Sequence, residues 1–187
     1  MFYQLMKAGG EQIGLVWREV SGRPQVERIY LPVSGGKLKE KIFQDFPGIT
    51  SSPRKIPFDI ADRVAGLYSG RDEKMDLAWL NWTGISEFAA KVLKQTCRIP
   101  RGKVDTYCGI AARIGSARAA RAVGTALANN PFPIVIPCHR VVRADRSPGS
   151  FGGGTQMKKA LLAKEEVLLD AREMICKTCI VSPPVRH

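Results

Sequence analysis

Tyr107-Cys108-Gly109-Ile110-Ala111-Ala112-Arg113-Ile114-Gly115-Ser116-Ala117-Arg118-Ala119-Ala120-Arg121-Ala122-Val123-Gly124-Thr125-Ala126-Leu127 reads as two short helices, Tyr107 to Ile114 and Arg118 to Leu127. The tight turn Gly115-Ser116-Ala117 joins them, which is a helix-turn-helix layout. A helix that reads bases in the major groove usually presents long side chains to their edges. Here Ala and Gly predominate and Arg121 is the one projecting group of Ala119 to Ala128. So slim a helix suits close approach, either within a protein core or to the narrow minor groove. In the groove, an inserted side chain unstacks bases at a cost of roughly a few kcal/mol per step.

Downstream, Asn129-Asn130-Pro131 stops the second helix. Ile134 to Ile136 is expected as a short buried strand that runs into Pro137, and Cys138-His139-Arg140-Val141-Val142 follows at once. Ala144 to Gly154 is a Gly-, Ser- and Pro-rich loop, and Met157 to Glu165 returns to helix. Only a thiolate is a good sulfur nucleophile, and a free thiol is mostly protonated at neutral pH. A histidine beside the cysteine supplies a base. Neighbouring side chains on a strand point to opposite faces, so a turn or a bridging water must bring the two together. A lone cysteine after a β-branched run would read as a buried core thiol; Pro137, His139, Arg140 and the Gly-rich loop favour a reactive one.

Upstream, Ser86 caps a helix whose Phe88, Val92 and Leu93 share a face, and Arg101 to Val104 breaks the chain. Residues 71–82 read as a connection. The first thirty residues read as a β-meander, with strands Phe2 to Met6, Ile13 to Trp17 and Val26 to Leu31. Helices are expected over Lys37 to Phe46 and Phe58 to Leu67, with a loop at Ser51-Ser52-Pro53 between them. Asp59 and Asp62 read as a solvated helix face, and nothing in this region reads as catalytic. The expected division is 1–82, 83–172 and a tail, 173–187.

Charge divides the 187 residues as sharply as pattern does. Residues 1–85 carry 12 Lys and Arg against 10 Asp and Glu, and residues 86–172 carry 15 against 6, within a net charge of +12. A basic second half points to a polyanionic partner, although a solvated surface would give the same count. No segment is apolar and long enough to span a bilayer, and the opening Met1 to Lys7 lacks the apolar stretch of a signal peptide. A cytoplasmic protein is expected, with reduced thiols. An odd count of five cysteines fits a reactive thiol better than a disulfide framework.

Arg121 in Ala119 to Gly124, the run Ile134 to Val142, Gly152-Gly153-Gly154 and Lys158-x-x-Leu161-Leu162-Ala163-x-Glu165 form an ordered set that is similar to the O6-alkylguanine-DNA alkyltransferases. The similarity spans about Ser86 to Glu165 and extends to residues 1–82 in architecture. It implies an α/β (α+β) fold: an N-terminal ribonuclease H-like α/β domain, and a C-terminal, mainly helical domain with a winged-helix-like helix-turn-helix. It implies irreversible, stoichiometric transfer of an alkyl group from O6-alkylguanine in double-stranded DNA to Cys138, with the base flipped through the minor groove and no cofactor. By the same resemblance Glu165 fixes His139, which takes the thiol proton through a water, and Tyr107 meets guanine N3. Arg121 fills the space of the flipped base, and Thr106, Ala119, Ala122, Gly124 and Thr125 join it at the DNA. The backbone at Cys138 and Val141 meets the exocyclic amine, and the Gly152 N–H meets O6. Phe151 covers the base, and Gly153 and Gly154 let the loop pass close to it. Asn130 ties the helix to the cysteine loop, and Arg140 is structural. A monomer is expected.

Two departures stand out. Phe151 replaces the tyrosine of many members, so a hydroxyl is missing. Residues 1–96 hold no Cys and no His, so the zinc of some members is not expected here. Cys176-Lys177-Thr178-Cys179 lies beyond the family pattern. A zinc site would want four ligands and only His187 is near in sequence; a redox pair, a disulfide or a tail without function all fit the spacing. The rival reading is an alkyltransferase-like protein that binds lesions without transfer; such proteins replace the reactive cysteine, which is present here. A thiol hydrolase using Cys138 and His139 would explain neither Arg121 nor the charge division.

Overall fold

The structure, a computed structural model, describes residues 1–51, 56–57 and 59–181, with Ser34 described by its backbone alone. Ser52 and Pro53 of the expected loop, Phe58 at the expected start of the second helix, and His187 lie outside the described residues. The fold mixes α and β. Two compact units are formed, one from residues 1–83 with 131–135, the other from residues 84–130 with 136 onward.

The first unit begins with the strands β1 (Phe2–Ala8), β2 (Glu11–Val20) and β3 (Arg23–Tyr30). They pair antiparallel, and a fourth strand, β4 (Thr50–Ser51), lies parallel to β1 in the order β3-β2-β1-β4. The strands run further than the apolar stretches suggest because both hairpins close through two-residue turns with positive φ at each centre: Gly9 and Gly10 at 58° and 84°, Ser21 and Gly22 at 51° and 75°. That conformation matches the twist of the flanking strands and keeps them paired to their ends. Two helices accompany the sheet, α1 (Leu38–Asp45) and α2 (Ile60–Tyr68). α1 buries Leu38 and Ile42 against Tyr3, Val16, Tyr30 and Ile49. Residues 131–135 belong here: Ile29 N–H donates to the Pro131 carbonyl at 2.8 Å, and Phe132 packs edge-on to Trp82 with centroids 6.0 Å apart.

The strand expected at Ile134 to Ile136 is not formed. Ile134 has φ 76° and the segment turns instead of extending. Pro131, Pro133 and Pro137 remove N–H donors on both sides of it, so no ladder can run through. Its two isoleucines are nevertheless buried, Ile134 at 4% and Ile136 at 0% exposure.

The second unit contains α3 (Glu87–Thr96), β5 (Asp105–Thr106), α4 (Tyr107–Arg113), α5 (Ala120–Ala128), β6 (Val141–Val142) and α6 (Gly154–Lys164). Side chains start two of these helices: Ser86 Oγ accepts from Ala89 N–H at 3.2 Å, and Thr106 Oγ1 accepts from Gly109 N–H at 2.9 Å. α5 buries Val123, Ala126 and Leu127 and leaves Arg121, Ala122 and Thr125 exposed. β5 and β6 pair in parallel, which sets Asp105 against Val141 and Thr106 against Val142. Residues 173–181 are an integral part of this unit. Val104 N–H donates to the Cys179 carbonyl at 2.8 Å, Val181 N–H to the Val104 carbonyl at 2.9 Å, and Ile175 and Cys179 pack with Val104, Val142, Leu162 and Val167. All five cysteines are free thiols. Among the described residues no helix is long and apolar enough to cross a membrane.

Candidate active site

Cys138 opens a single 3-10 turn, Cys138–Arg140, immediately after Pro137. Within this turn His139 is buried at 1% exposure, while Cys138 is half-buried. Cys138 lies at a cavity of about 270 Å³ lined also by Tyr107, Gly124, Leu127, Ala128, Ser150, Phe151 and Gly152. Three sequence-distant elements therefore meet there: the start of α4, one side of α5, and the loop before α6. Asn130 Nδ2 donates to the Ile136 carbonyl at 3.0 Å and to Cys138 Sγ at 3.3 Å, linking the end of α5 to the cysteine turn.

Glu165, 26 residues beyond His139 in sequence, caps the C-terminal end of α6. Its Oε1 accepts from His139 Nε2 at 3.0 Å and Arg140 Nη2 at 2.8 Å, and its Oε2 from Arg140 Nε at 2.7 Å. Arg140 Nη1 donates to the Ile99 carbonyl at 2.7 Å. Burial by itself would raise the Glu165 pKa, but the hydrogen bonds and charges of His139 and Arg140 outweigh it and hold the carboxyl at about 2. A permanent carboxylate accepts only, so the proton on the imidazole stands on Nε2. Nδ1 is then a lone pair, buried and without a hydrogen-bond partner among the described residues. Burial lowers the His139 pKa despite Glu165, so the ring is neutral at neutral pH. Burial likewise raises the Cys138 pKa, opposed by the Asn130 hydrogen bond, the Lys158 charge and nearby backbone N–H groups. At rest Cys138 is a thiol and His139 a neutral imidazole.

Lys158 belongs to this centre; the sequence reading quoted it in the α6 motif but gave it no role. It is 0% exposed, and its Nζ donates to the Val141 carbonyl at 2.6 Å and to the Ser150 carbonyl at 3.5 Å. Burial brings its pKa down to about 8, with the Cys138 charge opposing. The signal was present in α6: Lys158, Leu161, Leu162 and Glu165 share one helical face, so a face that buries two leucines carries an ionisable residue at each end.

The remaining expected residues separate into groups. Tyr107, Gly124, Phe151 and Gly152 line the cavity. Gly124 stands beside the Tyr107 ring, which a methyl group there would meet at 3.9 Å. The Phe151 and His139 rings are 6.4 Å apart, edge to face. Burial raises the Tyr107 pKa, which keeps its hydroxyl protonated. Gly153 caps α6 and Gly154 opens it with φ 87°. Val141 is fully buried; its N–H donates to the Cys138 carbonyl and its own carbonyl receives Lys158. The Thr106 hydroxyl is engaged in capping α4. Arg121, Ala122 and Thr125 are exposed on α5, and Ala119 precedes it.

Residues 87–167 match the family model described as the DNA-binding domain of 6-O-methylguanine DNA methyltransferase. The chain is 39% identical over 122 residues to the methylated-DNA–protein-cysteine methyltransferase of Methanothermobacter thermautotrophicus, covering 65% of this chain and 68% of that one. It is 38% identical over 129 residues to the protein of the same name from Methanosarcina barkeri, covering 69% and 80%. Among solved structures it is similar to Mycobacterium tuberculosis OGT in complex with DNA, with a TM-score of 0.71 at 27% identity, covering 89% of this chain and 93% of that one. It is also similar to the O6-methylguanine-DNA methyltransferase of Pyrococcus kodakaraensis, with a TM-score of 0.64 at 30% identity and coverage of 88% and 98%. The chain belongs to the methylated-DNA–protein-cysteine methyltransferases, enzymes of DNA repair that transfer an alkyl group to one of their own cysteines.

Proposed function

We propose that the protein flips O6-alkylguanine out of double-stranded DNA through the minor groove and takes the alkyl group irreversibly on Cys138. The observation that carries this reading is the Cys138 thiol at a cavity wall, backed by the buried His139–Glu165–Arg140 network. Cys138 Sγ attacks the alkyl carbon, the carbon–O6 bond breaks as the carbon–sulfur bond forms, and the electron pair leaves on guanine. The thiol proton passes through a water to His139 Nδ1, and the imidazolium is stabilised by Glu165. Tyr107 donates to guanine N3 as charge develops on the base. Lys158 supports the developing thiolate, while Arg140 holds Glu165 in place and takes no part in proton transfer. The second lone pair of the Val141 carbonyl and the Cys138 carbonyl receive the exocyclic amine; the Gly152 N–H meets O6, Phe151 covers the base, and Gly153 keeps the loop close.

Arg121, exposed on the helix that lines the cavity, enters the base stack, with Ala119, Ala122, Gly124, Thr125 and Thr106 at the groove wall. A damaged pair costs less to open than an intact one, by part of a few kcal/mol, which favours the lesion. The thioether has no route back, so each molecule acts once, without a cofactor and as a monomer. The meander with a parallel fourth strand beside β1 supports a ribonuclease H-like reading of the first unit, and α4, α5 and the β5–β6 pair support a winged-helix-like reading of the second.

The test is incubation with a duplex holding one O6-methylguanine, followed by the mass of the Cys138 peptide. One methyl gained per protein molecule is expected. An unchanged peptide with the duplex bound would make this a lesion-binding protein, and an unchanged peptide without binding would overturn the reading altogether.

A further inference from the structure

We propose that Arg143 is a positioning residue that grips the phosphate of the flipped nucleotide; this rests on the alkyl-transfer reading above. Arg143 follows β6 directly, and its backbone is fixed by a tight turn: its N–H donates to the Ser147 carbonyl at 3.1 Å and its carbonyl accepts from Arg146 N–H at 3.0 Å. The side chain leaves that turn and passes over Gly149. A methyl group on Gly149 would meet Arg143 Cγ at 3.3 Å and Nε at 3.7 Å, and the Tyr107 hydroxyl also at 3.7 Å. Arg143 and the Tyr107 hydroxyl therefore flank one glycine, whose φ of 76° already disfavours any other residue. Ser150, next along, lines the cavity. Arg143 is exposed and forms no ion pair within 4.0 Å among the described residues; Asp145, whose carboxylate is held mainly by the Ser147 hydroxyl and N–H, feels its charge at longer range. The Arg143 charge is felt inside the site, where it opposes the rise that burial gives the Tyr107 pKa and adds to the fall that burial gives the Lys158 pKa.

Chemistry assigns the partner. Guanine N3 lies on the ring edge beside N9, the atom that carries the sugar. If Tyr107 meets N3, the sugar and its phosphates lie on the Tyr107 side of the cavity, where the guanidinium stands. Arginine recognises phosphate through paired N–H donors, and the rim of a site is where a strand's backbone stays while its base enters. Arg121 and Arg143 then divide the work: Arg121 fills the stack left behind, and Arg143 holds the nucleotide that has moved.

Three substrates separate the two roles: free O6-benzylguanine, which has no phosphate; a single strand holding one O6-methylguanine, which has no paired stack; and the duplex. Single-turnover rates of full-length wild type, Arg143→Gln, Arg143→Lys and Arg121→Ala are compared on each. Arg143→Gln is expected to lose roughly tenfold on both the single strand and the duplex relative to its change on the free base, the scale of one charge-assisted hydrogen bond. Arg143→Lys should recover part of that loss, and Arg121→Ala should lose mainly on the duplex. The slope of log affinity against log salt for single strand should fall by about 0.7 in Arg143→Gln, as for one phosphate contact. An equal loss on free base and strand would make Arg143 a modifier of Tyr107 and overturn the proposal, as would an unchanged salt slope. Absence of transfer in the wild type would instead refute the alkyl-transfer reading itself.

Discussion

Glu165→Gln changes one atom at the most connected side chain of the site. The native carboxylate accepts three hydrogen bonds, from His139 Nε2 at 3.0 Å and from Arg140 Nε and Nη2 at 2.7 and 2.8 Å. A carboxamide has one acceptor oxygen, and its NH2 would face at least one of these donors with nothing to offer it. The native pKa of about 2, against 4.5 for an ordinary glutamate, sets the magnitude. Each tenfold in proton affinity is worth about 1.4 kcal/mol, so the ionised native contacts contribute about 3 kcal/mol. Removing one partner of a buried pair falls in the same range, about 3–5 kcal/mol, because Arg140 is left without its counter-ion. The sign follows from the depressed pKa: the contribution is complete above pH 4.5 and disappears as pH falls toward 2. Urea unfolding of both proteins from pH 7 to pH 3 measures it. A stability difference of about 3 kcal/mol is expected at pH 7, shrinking to less than half of that at pH 3. Coincident midpoints at pH 7, or a difference that stays constant on acidification, would refute the assignment of the carboxylate as the keystone of the network.

Arg121→Ala should slow methyl transfer from duplex by at least tenfold more than its reaction with free O6-benzylguanine, measured as single-turnover rates; equal losses would remove Arg121 from base flipping. Gly109→Ala should lower the melting temperature markedly, because the added methyl would lie 1.9 Å from Asp105 Oδ1, and Asp105, 3% exposed and paired to Arg113 Nε at 2.8 Å, has nowhere to move; a melt within about a degree of wild type would show that α4 can shift freely. Because burial depresses the His139 pKa, the transfer rate should show no acid-side loss until the pH is below 6.5, the ordinary histidine value; a rate already falling between pH 8 and 6.5 would mean that the ring protonates normally.

Much of the architecture was legible in local pattern. The meander followed from β-branched runs between glycine turns, Ser86 declared the start of α3, and Gly115-Ser116-Ala117 separated α4 from α5. The reading of Ile134 to Ile136 as a strand failed because a β-branched run looks the same in a strand and in a buried turn, and the flanking prolines outweighed propensity. Lys158 was given no role because lysine in a helix is usually on the solvated face; its place on the buried face of α6 depends on the Val141 carbonyl, which another element brings to it.

By itself the chain determined which reactive groups exist and in what order: a cysteine and histidine beside a proline, a slim helix with one arginine, a glutamate on a later helix, and a basic second half. Only the tertiary structure decided which of them touch. The 3-10 turn sends His139 inward and leaves Cys138 at the cavity, Glu165 closes on His139 and Arg140, and Arg143 and the Tyr107 hydroxyl come to flank Gly149. Periodicity reports which side of one element is buried. Pairings between elements far apart in sequence are set by how those elements pack, and so are the pKa values that follow from burial and from neighbouring charge.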